Sequence, residues 1–209
     1  MSQDFAISII RTLRKHGFQA YLVGGCVRDL LLQREPADFD VATSATPAQV
    51  MEIFPETYAV GAQFGVVLVP LPEEQREKGG ENKLAKAGAV EVATFRSDLG
   101  YSDGRRPDQV RFSQDPREDV ARRDFTINGM MLDPLSGQVL DFVGGQRDLD
   151  AGIIRAIGEP GHRFAEDKLR MLRAVRFAAR FEYAIDESTR AAIQNSIPHP
   201  AFSQCRRCL

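Results

Sequence analysis

The tripeptide Asp38-Phe39-Asp40 constrains this chain more than any other feature. It opens a strand-like run, FDVAT at 39–43. Successive side chains of a strand alternate between faces, so both carboxylates project to one side while Phe39 turns to the other. Two carboxylates held together repel unless a cation joins them, which makes the pair a candidate platform for Mg2+. A surface D-x-D without function carries the same pattern. The segment just upstream weighs toward chemistry. QAYLV (19–23) reads as a short buried strand that runs straight into Gly24-Gly25, and VRDLLL (27–32) restarts as a helix. Two glycines between strand and helix let backbone N–H groups approach an anion, and the helix N-terminus favours phosphate there. Arg28 stands one turn into that helix, within reach of a phosphate oxygen. A plain Gly-Gly turn is the alternative. Neither G-x-G-x-x-G nor G-x-x-x-x-G-K-[ST] is present, which disfavours dinucleotide-binding and P-loop folds.

The 209 residues carry 43% hydrophobic and 27% charged residues, an ordinary globular balance with enough apolar surface for a core. No run approaches the roughly 18 apolar residues that span a membrane. The first residues, MSQDFAISIIRTLRKHG, place Phe5, Ile9 and Leu13 on one helical face and read as an amphipathic helix over 5–16 rather than a signal peptide. Three cysteines make no disulfide framework, so a reducing cytoplasm is the expectation. The net charge of −2 hides an asymmetry. Residues 162–209 carry nine basic and five acidic residues, net +4, and the first 161 carry 18 basic and 24 acidic, net −6. An acidic first part with a basic last part suits a metal-carboxylate site beside a polyanion-binding helix, and chance scatter is the alternative.

Further along, Thr46-Pro47 caps a helix ending before Pro55, and GVVLVPL (65–71) and AVEVATF (89–95) read as strands. If AVEVATF lies beside FDVAT, Glu91 completes a three-carboxylate cluster for two metals; otherwise it is a solvent-facing Glu on a half-exposed strand. Residues 72–88 read as a solvated hairpin loop without chemistry, and 97–109 as a second loop combining Tyr101 with Arg105 and Arg106. A helix is expected from about Asp119 to Met131, with a Gly-rich connection around Asp141–Gly145. The longest helical pattern is 164–181, and a last helix begins near Asp186 or Ser188. Strands mixed with helices give way to helices alone near residue 155. This implies an α+β fold with a mixed sheet, divided into domains at 1–155 and 156–209.

Four ordered blocks then resemble the class II tRNA nucleotidyltransferase and bacterial poly(A) polymerase family of the polymerase β superfamily. They are GGCVRDLLLQREPADFDVAT, VEVATFRSDLGYSDGRRPDQVRF, EDVARRDFTINGM and RFAEDKLRMLRAVRFAARF. The resemblance covers roughly residues 20–195. It implies a nucleotidyltransferase head followed by a helical neck, with Asp38 and Asp40 holding Mg2+ and Glu91 as the third carboxylate. It also implies that Gly24, Gly25 and Arg28 contact the triphosphate, that Arg123 reaches the nucleotide, and that Asp167, Arg170, Arg173 and Arg176 occupy nucleotide-contacting positions. Residues 167, 170, 173 and 176 are three apart and would wind along one side of a helix over about 14 Å. Asp167 can accept from the exocyclic amine of cytosine or adenine, and Arg170 can donate to a ring nitrogen or carbonyl, which would select C and A. An ordinary basic helix with its own salt bridges is the alternative.

The implied reaction is addition of CMP and AMP from CTP and ATP to a tRNA 3′ end, with pyrophosphate released. Poly(A) addition to RNA is the alternative within the same chemistry, and a non-catalytic nucleotide- or RNA-binding remnant is the alternative outside it. Members of the family continue into further helical regions, so the resemblance implies a shortened neck. The segment HPAFSQCRRCL (199–209) departs from the pattern, and its lone C-x-x-C has too few neighbouring ligands for zinc.

Overall fold

A computed structural model describes residues 3–72, 88–102, 104 and 107–196. Most of the expected 72–88 loop lies outside the described residues, as do Arg105, Arg106 and the 199–209 segment with its C-x-x-C.

The expected first helix is α1, Gln3–Lys15, which buries Ala6, Ile9, Ile10 and Leu13 along one stripe. The strand into the glycines is β1, Ala20–Val23, and the helix after them is α2, Gly25–Leu31. The D-x-D strand is β2, Asp40–Thr43. Thr46 caps α3, Pro47–Ile53, through a reciprocal pair with Gln49, and Pro47 stands at its first turn. Three strands follow: β3 at Tyr58–Gly61, β4 at Val66–Pro70 and β5 at Ala89–Thr94. Further on, β8 (Met130–Leu132) and β9 (Val139–Asp141) complete a mixed sheet in the order β3-β4-β5-β2-β1-β8-β9. The β2–β5 pair is parallel and the others are antiparallel.

The alternation along the strands sorts residues between two faces. Leu22, Val41, Val67, Val69, Val90 and Val92 turn toward the α1 and α3 side, where they join Ile9, Ile10, Leu13 and Val50 in the larger core. Val23, Ala42 and Met131 turn to the opposite face and pack with Phe95 and Val120. Asp40 and Glu91 belong to this second face by the same alternation, since Val41, Val90 and Val92 belong to the first.

Three elements differ from the sequence reading. Residues 97–109 are not all loop: β6 (Arg96–Leu99) pairs antiparallel with β7 (Gln109–Phe112). The helix expected over 119–131 stops early. Asp115 caps α4, Pro116–Ala121, and the chain then forms a short 3-10 turn at Thr126–Asn128 before entering β8. Residues 125–128, 130 and 131 are all buried, more than one helix face can bury, and Asp124 accepts from the Phe125 N–H, tying the backbone out of a helix. The 164–181 helix is broken in two. Helix α6 spans Pro160–Glu166 and α7 spans Leu169–Phe181, with Asp167 extended between them. The Asp167 carboxylate accepts from the Leu169 N–H at 2.9 Å, a local bond that competes with helix continuation.

Helix α7 lays Ala174, Phe177 and Phe181 into the larger core beside Phe125 and Ile127, so this core continues past residue 155. The last elements are α5 (Gly145–Asp150), the short pair β10 (Ile153–Ile154) and β11 (Ala184–Ile185), and α8 (Glu187–Ser196). Asp141 accepts from Gly145 N–H at 2.9 Å where α5 begins. A Cβ on Gly145 would collide with the Thr126 carbonyl oxygen and stand 2.7 Å from Met130 Cγ. Gly145→Ala therefore forces backbone apart. We expect a loss of about 1–3 kcal/mol, the scale of overpacking, read as a lower urea midpoint at unchanged slope. A midpoint equal to the parent's would show that the backbone there yields freely.

Candidate active site

The site is assembled by strand register. Antiparallel pairing sets Val23 opposite Asp40, so the Gly-Gly turn leaves the sheet beside the D-x-D strand. Parallel pairing sets Asp40 opposite Glu91. Residues directly opposite share a face, so these two carboxylates are neighbours on the side away from α1. Asp38 precedes β2 and is exposed, while Phe39 between the two acids is only 4% exposed and part of the core. The strand begins at Asp40, so Asp38 lies before it rather than within it. The expected three-carboxylate cluster is less complete: among the described residues no group of three His, Cys, Asp or Glu side chains is arranged to hold a metal ion. Asp40 and Glu91 alone still offer hard oxygen donors of the kind Mg2+ takes, an ion that binds through one or two carboxylates plus substrate phosphates.

Gly24 has φ +79°, a conformation that favours glycine, and a Cβ there would meet Arg123 Nη1 at 3.3 Å. Arg123 thus stands against the turn. What holds it there is Asp119, fully buried on α4 and absent from the sequence reading as a site residue. One Asp119 oxygen accepts from Arg122 Nη2 at 2.6 Å and Nε at 2.9 Å; the other accepts from Arg123 Nη2 at 2.8 Å and Nε at 3.1 Å. Each arginine presents the fork that suits a carboxylate. Burial alone would raise the Asp119 pKa, but the charges and hydrogen bonds of Arg123 and Arg122 outweigh it and hold it below the ordinary carboxylate range. The signal in the sequence is an acid three and four residues before Arg122-Arg123, the spacing at which one helical turn brings them together.

Arg28 lies against the glycine turn, where a Cβ on Gly25 would meet its Nη2 at 3.5 Å. It is 4% exposed, and its guanidinium donates to Asp29 at 2.8 Å and to Asn128 Oδ1 at 2.7 Å while lying 4.6 Å from the Phe181 ring centre. Asn128 in turn donates to Asp124 at 3.1 Å, and Asp124 accepts from Arg173 Nε at 2.8 Å. A chain of charge-assisted bonds therefore runs from α2 through the Asp124–Asn128 turn to α7. Of the expected nucleotide-contacting series, Arg170, Arg173 and Arg176 lie on α7 and Asp167 lies on the linker before it. Arg170 is 7% exposed and donates to Glu166 at 2.7 Å, to the Arg163 carbonyl at 3.0 Å and to the Arg122 carbonyl at 3.2 Å. Arg163, which the sequence reading passed over, donates to the carbonyls of Arg122 and Arg123. Tyr101 lies under Arg170 with its hydroxyl on Asp98; burial first, then that bond, push its pKa up to about 12. Arg176 is exposed.

A glycine turn closed by an arginine, with paired acids on the neighbouring strands of a mixed sheet, defines the head of a polymerase β-like nucleotidyltransferase. Comparison with known proteins agrees. The family model described as the poly A polymerase head domain matches residues 20–155. The CCA-adding enzyme of Bacillus licheniformis is 42% identical over 193 residues, covering 92% of this chain and 45% of that protein. That of Geobacillus kaustophilus is 43% identical over 202 residues, covering 97% and 46%. The crystal structure of the Bacillus stearothermophilus CCA-adding enzyme in complex with CTP superposes with a TM-score of 0.77 at 41% identity, covering 94% of this chain and 44% of that one. The Thermotoga maritima CCA-adding enzyme complexed with tRNA gives 0.68 at 26%, covering 92% and 41%. The chain belongs to the class II tRNA nucleotidyltransferase and poly(A) polymerase family. It spans about half the length of the curated relatives it matches.

Removing the Asp119 carboxylate strands two arginine forks. Asp119→Ala is expected to cost about 3–5 kcal/mol, the scale for breaking a buried pair by deleting one partner. The folded pKa lies below that of the unfolded chain, about 3.9. The stabilisation is therefore complete above the unfolded value and lost as pH falls through the folded one. Asp133 and Asp186 shift the same way, so the comparison must be with Asp119→Asn. Denaturant midpoints of parent and Asn variant should differ at pH 6 and converge toward pH 3. A gap that stays constant over this range would contradict the ion-pair assignment.

Proposed function

We propose that the chain is the catalytic part of an RNA 3′-end nucleotidyltransferase that adds CMP and AMP, from CTP and ATP, to tRNA. The observation that carries this reading is the register that sets Asp40 beside Glu91 and next to the glycine turn under Arg123. In the reaction the RNA 3′ hydroxyl attacks the α-phosphate and pyrophosphate leaves in line. Asp38 and Asp40 would hold Mg2+ with Glu91 as the accompanying carboxylate, and the donor chemistry of Asp40 and Glu91 fits that ion. When bound, the ion supplies charge neutralisation at phosphate oxygens and acidifies the attacking hydroxyl.

The chain's own groups do the rest. The backbone N–H of Gly25 and the guanidinium of Arg123 receive the triphosphate, with Asp119 keeping Arg123 aimed at the turn and the Gly24 N–H donating to the Met130 carbonyl at 3.4 Å. Arg28, among the triphosphate contacts in the family pattern, acts here by fixing α2 against Asn128 and Phe181. Asp167 and Arg170 read the base edge, for which Arg170 exchanges one of its protein partners for the nucleotide. Arg173 and Arg176 extend the positive surface beyond that pair. We read residues 1–155 as the head and 156–209 as the start of the neck. No described helix is long and apolar enough to cross a membrane, and with tRNA as substrate the proposed location is the cytoplasm.

The test is extension of a tRNA lacking its 3′ end, with CTP and ATP supplied singly and together. Two C and one A should be added only when both are present. Asp40→Ala should lower incorporation at least about 10²-fold, the scale of a lost electrostatic contact at a transition state, with the fold intact by circular dichroism. Long A tracts from ATP alone would point to poly(A) addition, and undiminished extension by the variant would remove Asp40 from the site.

A further inference from the structure

Beside the site, the C-terminal half of α7 gathers cations around two aromatic rings. Phe177 and Phe181 stack with centroids 6.1 Å apart and planes 24° apart. Arg176 lies 5.5 Å from the Phe177 centre, and Arg34 and Arg180 each lie 5.4 Å from the Phe181 centre. Arg28 and Arg173 reach the same rings, but each has a carboxylate, Asp29 and Asp124 respectively. Arg34, Arg176 and Arg180 are exposed, and among the described residues none has a carboxylate partner.

Three uncompensated like charges on one ring pair repel one another, and the fold has not matched them as it matches Arg28, Arg122, Arg123 and Arg173. Each of the three guanidinium carbons lies 5.4–5.5 Å from a ring centre on a residue that is exposed, and an arginine beside an aromatic ring and open to solvent can take phosphate. Their place along α7 identifies the kind of anion. Arg176 and Arg180 stand one helical turn apart, about 6 Å at 1.5 Å rise, and their cluster adjoins the glycine turn, since a Cβ on Gly25 would meet Arg28 Nη2 at 3.5 Å and Arg28 lies 4.6 Å from the Phe181 centre. A triphosphate at Gly24 is met by Arg123, which stands against that turn, so the exposed Arg34, Arg176 and Arg180 are left for phosphates that lie outward of it. We infer that Arg34 and Arg180, with Arg176, form a track for the phosphates of the RNA strand whose 3′ end enters the site. This rests on the reading of the chain as acting on RNA 3′ ends, and it adds where the strand runs.

The experiment is fluorescence anisotropy of a 5′-labelled RNA hairpin with a single-stranded 3′ overhang, titrated with the whole chain across a series of KCl concentrations. Parent, Arg34→Gln/Arg180→Gln and Arg34→Lys/Arg180→Lys are compared, with thermal melts to confirm folding. The Gln pair should weaken RNA binding roughly tenfold at low salt. It should also flatten the slope of log K against log salt by about 1.5, since each phosphate left without its cation changes that slope by roughly 0.7–0.9. The Lys pair should keep most of that slope, and a fluorescent CTP analogue should bind all three alike. An unchanged slope in the Gln pair, a Lys pair that weakens as much as the Gln pair, or no RNA binding by the parent would overturn the track. Asp40→Ala separates the two claims, because it should abolish transfer and leave the salt slope alone. A parent that binds RNA through these arginines yet transfers nothing would refute the proposed function and leave the track standing.

Discussion

The pairing of β2 with β1 on one side and β5 on the other is the constraint on which the site depends. A slip of one residue in either pairing would turn Asp40 or Glu91 into the core, since strand side chains alternate. The register is pinned from the apolar side. Phe39 and Val41 on one strand, and Val90 and Val92 on the other, are committed to the larger core. The carboxylates are therefore held in place by the burial of their neighbours, which is how a pair of like charges can be kept adjacent despite their repulsion.

Behind the acids the structure distributes positive charge by a second rule. Where an arginine is needed at low exposure it is given a carboxylate: Asp29 for Arg28, Asp119 for Arg122 and Arg123, Glu166 for Arg163 and Arg170; the more exposed Arg173 pairs with Asp124. Burial costs a charge several kcal/mol unless a partner is supplied, and where the crowding is greatest it shows. Arg96 is pulled below its ordinary pKa by burial and then by the charge of Arg122, and Arg163 by burial and then by Arg170. The pairs form one connected surface from α2 across α4 to α7. A change at one arginine is thereby felt by the next.

Much of this was legible in the chain and some was not, for physical reasons. The strands at 20–23, 40–43, 66–70 and 89–94 announce themselves by apolar β-branched runs bounded by glycine or charge, and the α3 start by Thr46-Pro47. The helical periodicity runs on through Asp124 and Asp167, where the structure has no helix. At both, a short side chain captures a nearby backbone N–H and breaks a pattern whose hydrophobic period continues unbroken. Strands β6 and β7 carry Arg, Ser, Asp and Gln, so periodicity did not mark them; their pairing with each other does. Asp119 was invisible as a site residue because an acid beside two arginines reads as a solvated helix face until burial is known.

The sequence by itself determined the burial of Phe39 between two acids, the glycine turn at 24–25, and the family to which the four ordered blocks belong. These are local properties, written in spacing and residue type. Only the tertiary structure decided that Glu91 stands beside Asp40, that Arg28 is walled in by Asn128 and Phe181, that Asp167 lies outside α7, and that Asp119 carries Arg123 to the turn. Each of these depends on which distant segments share a sheet or a core, and residues 50 or 100 positions apart are brought together by burial that no local pattern encodes.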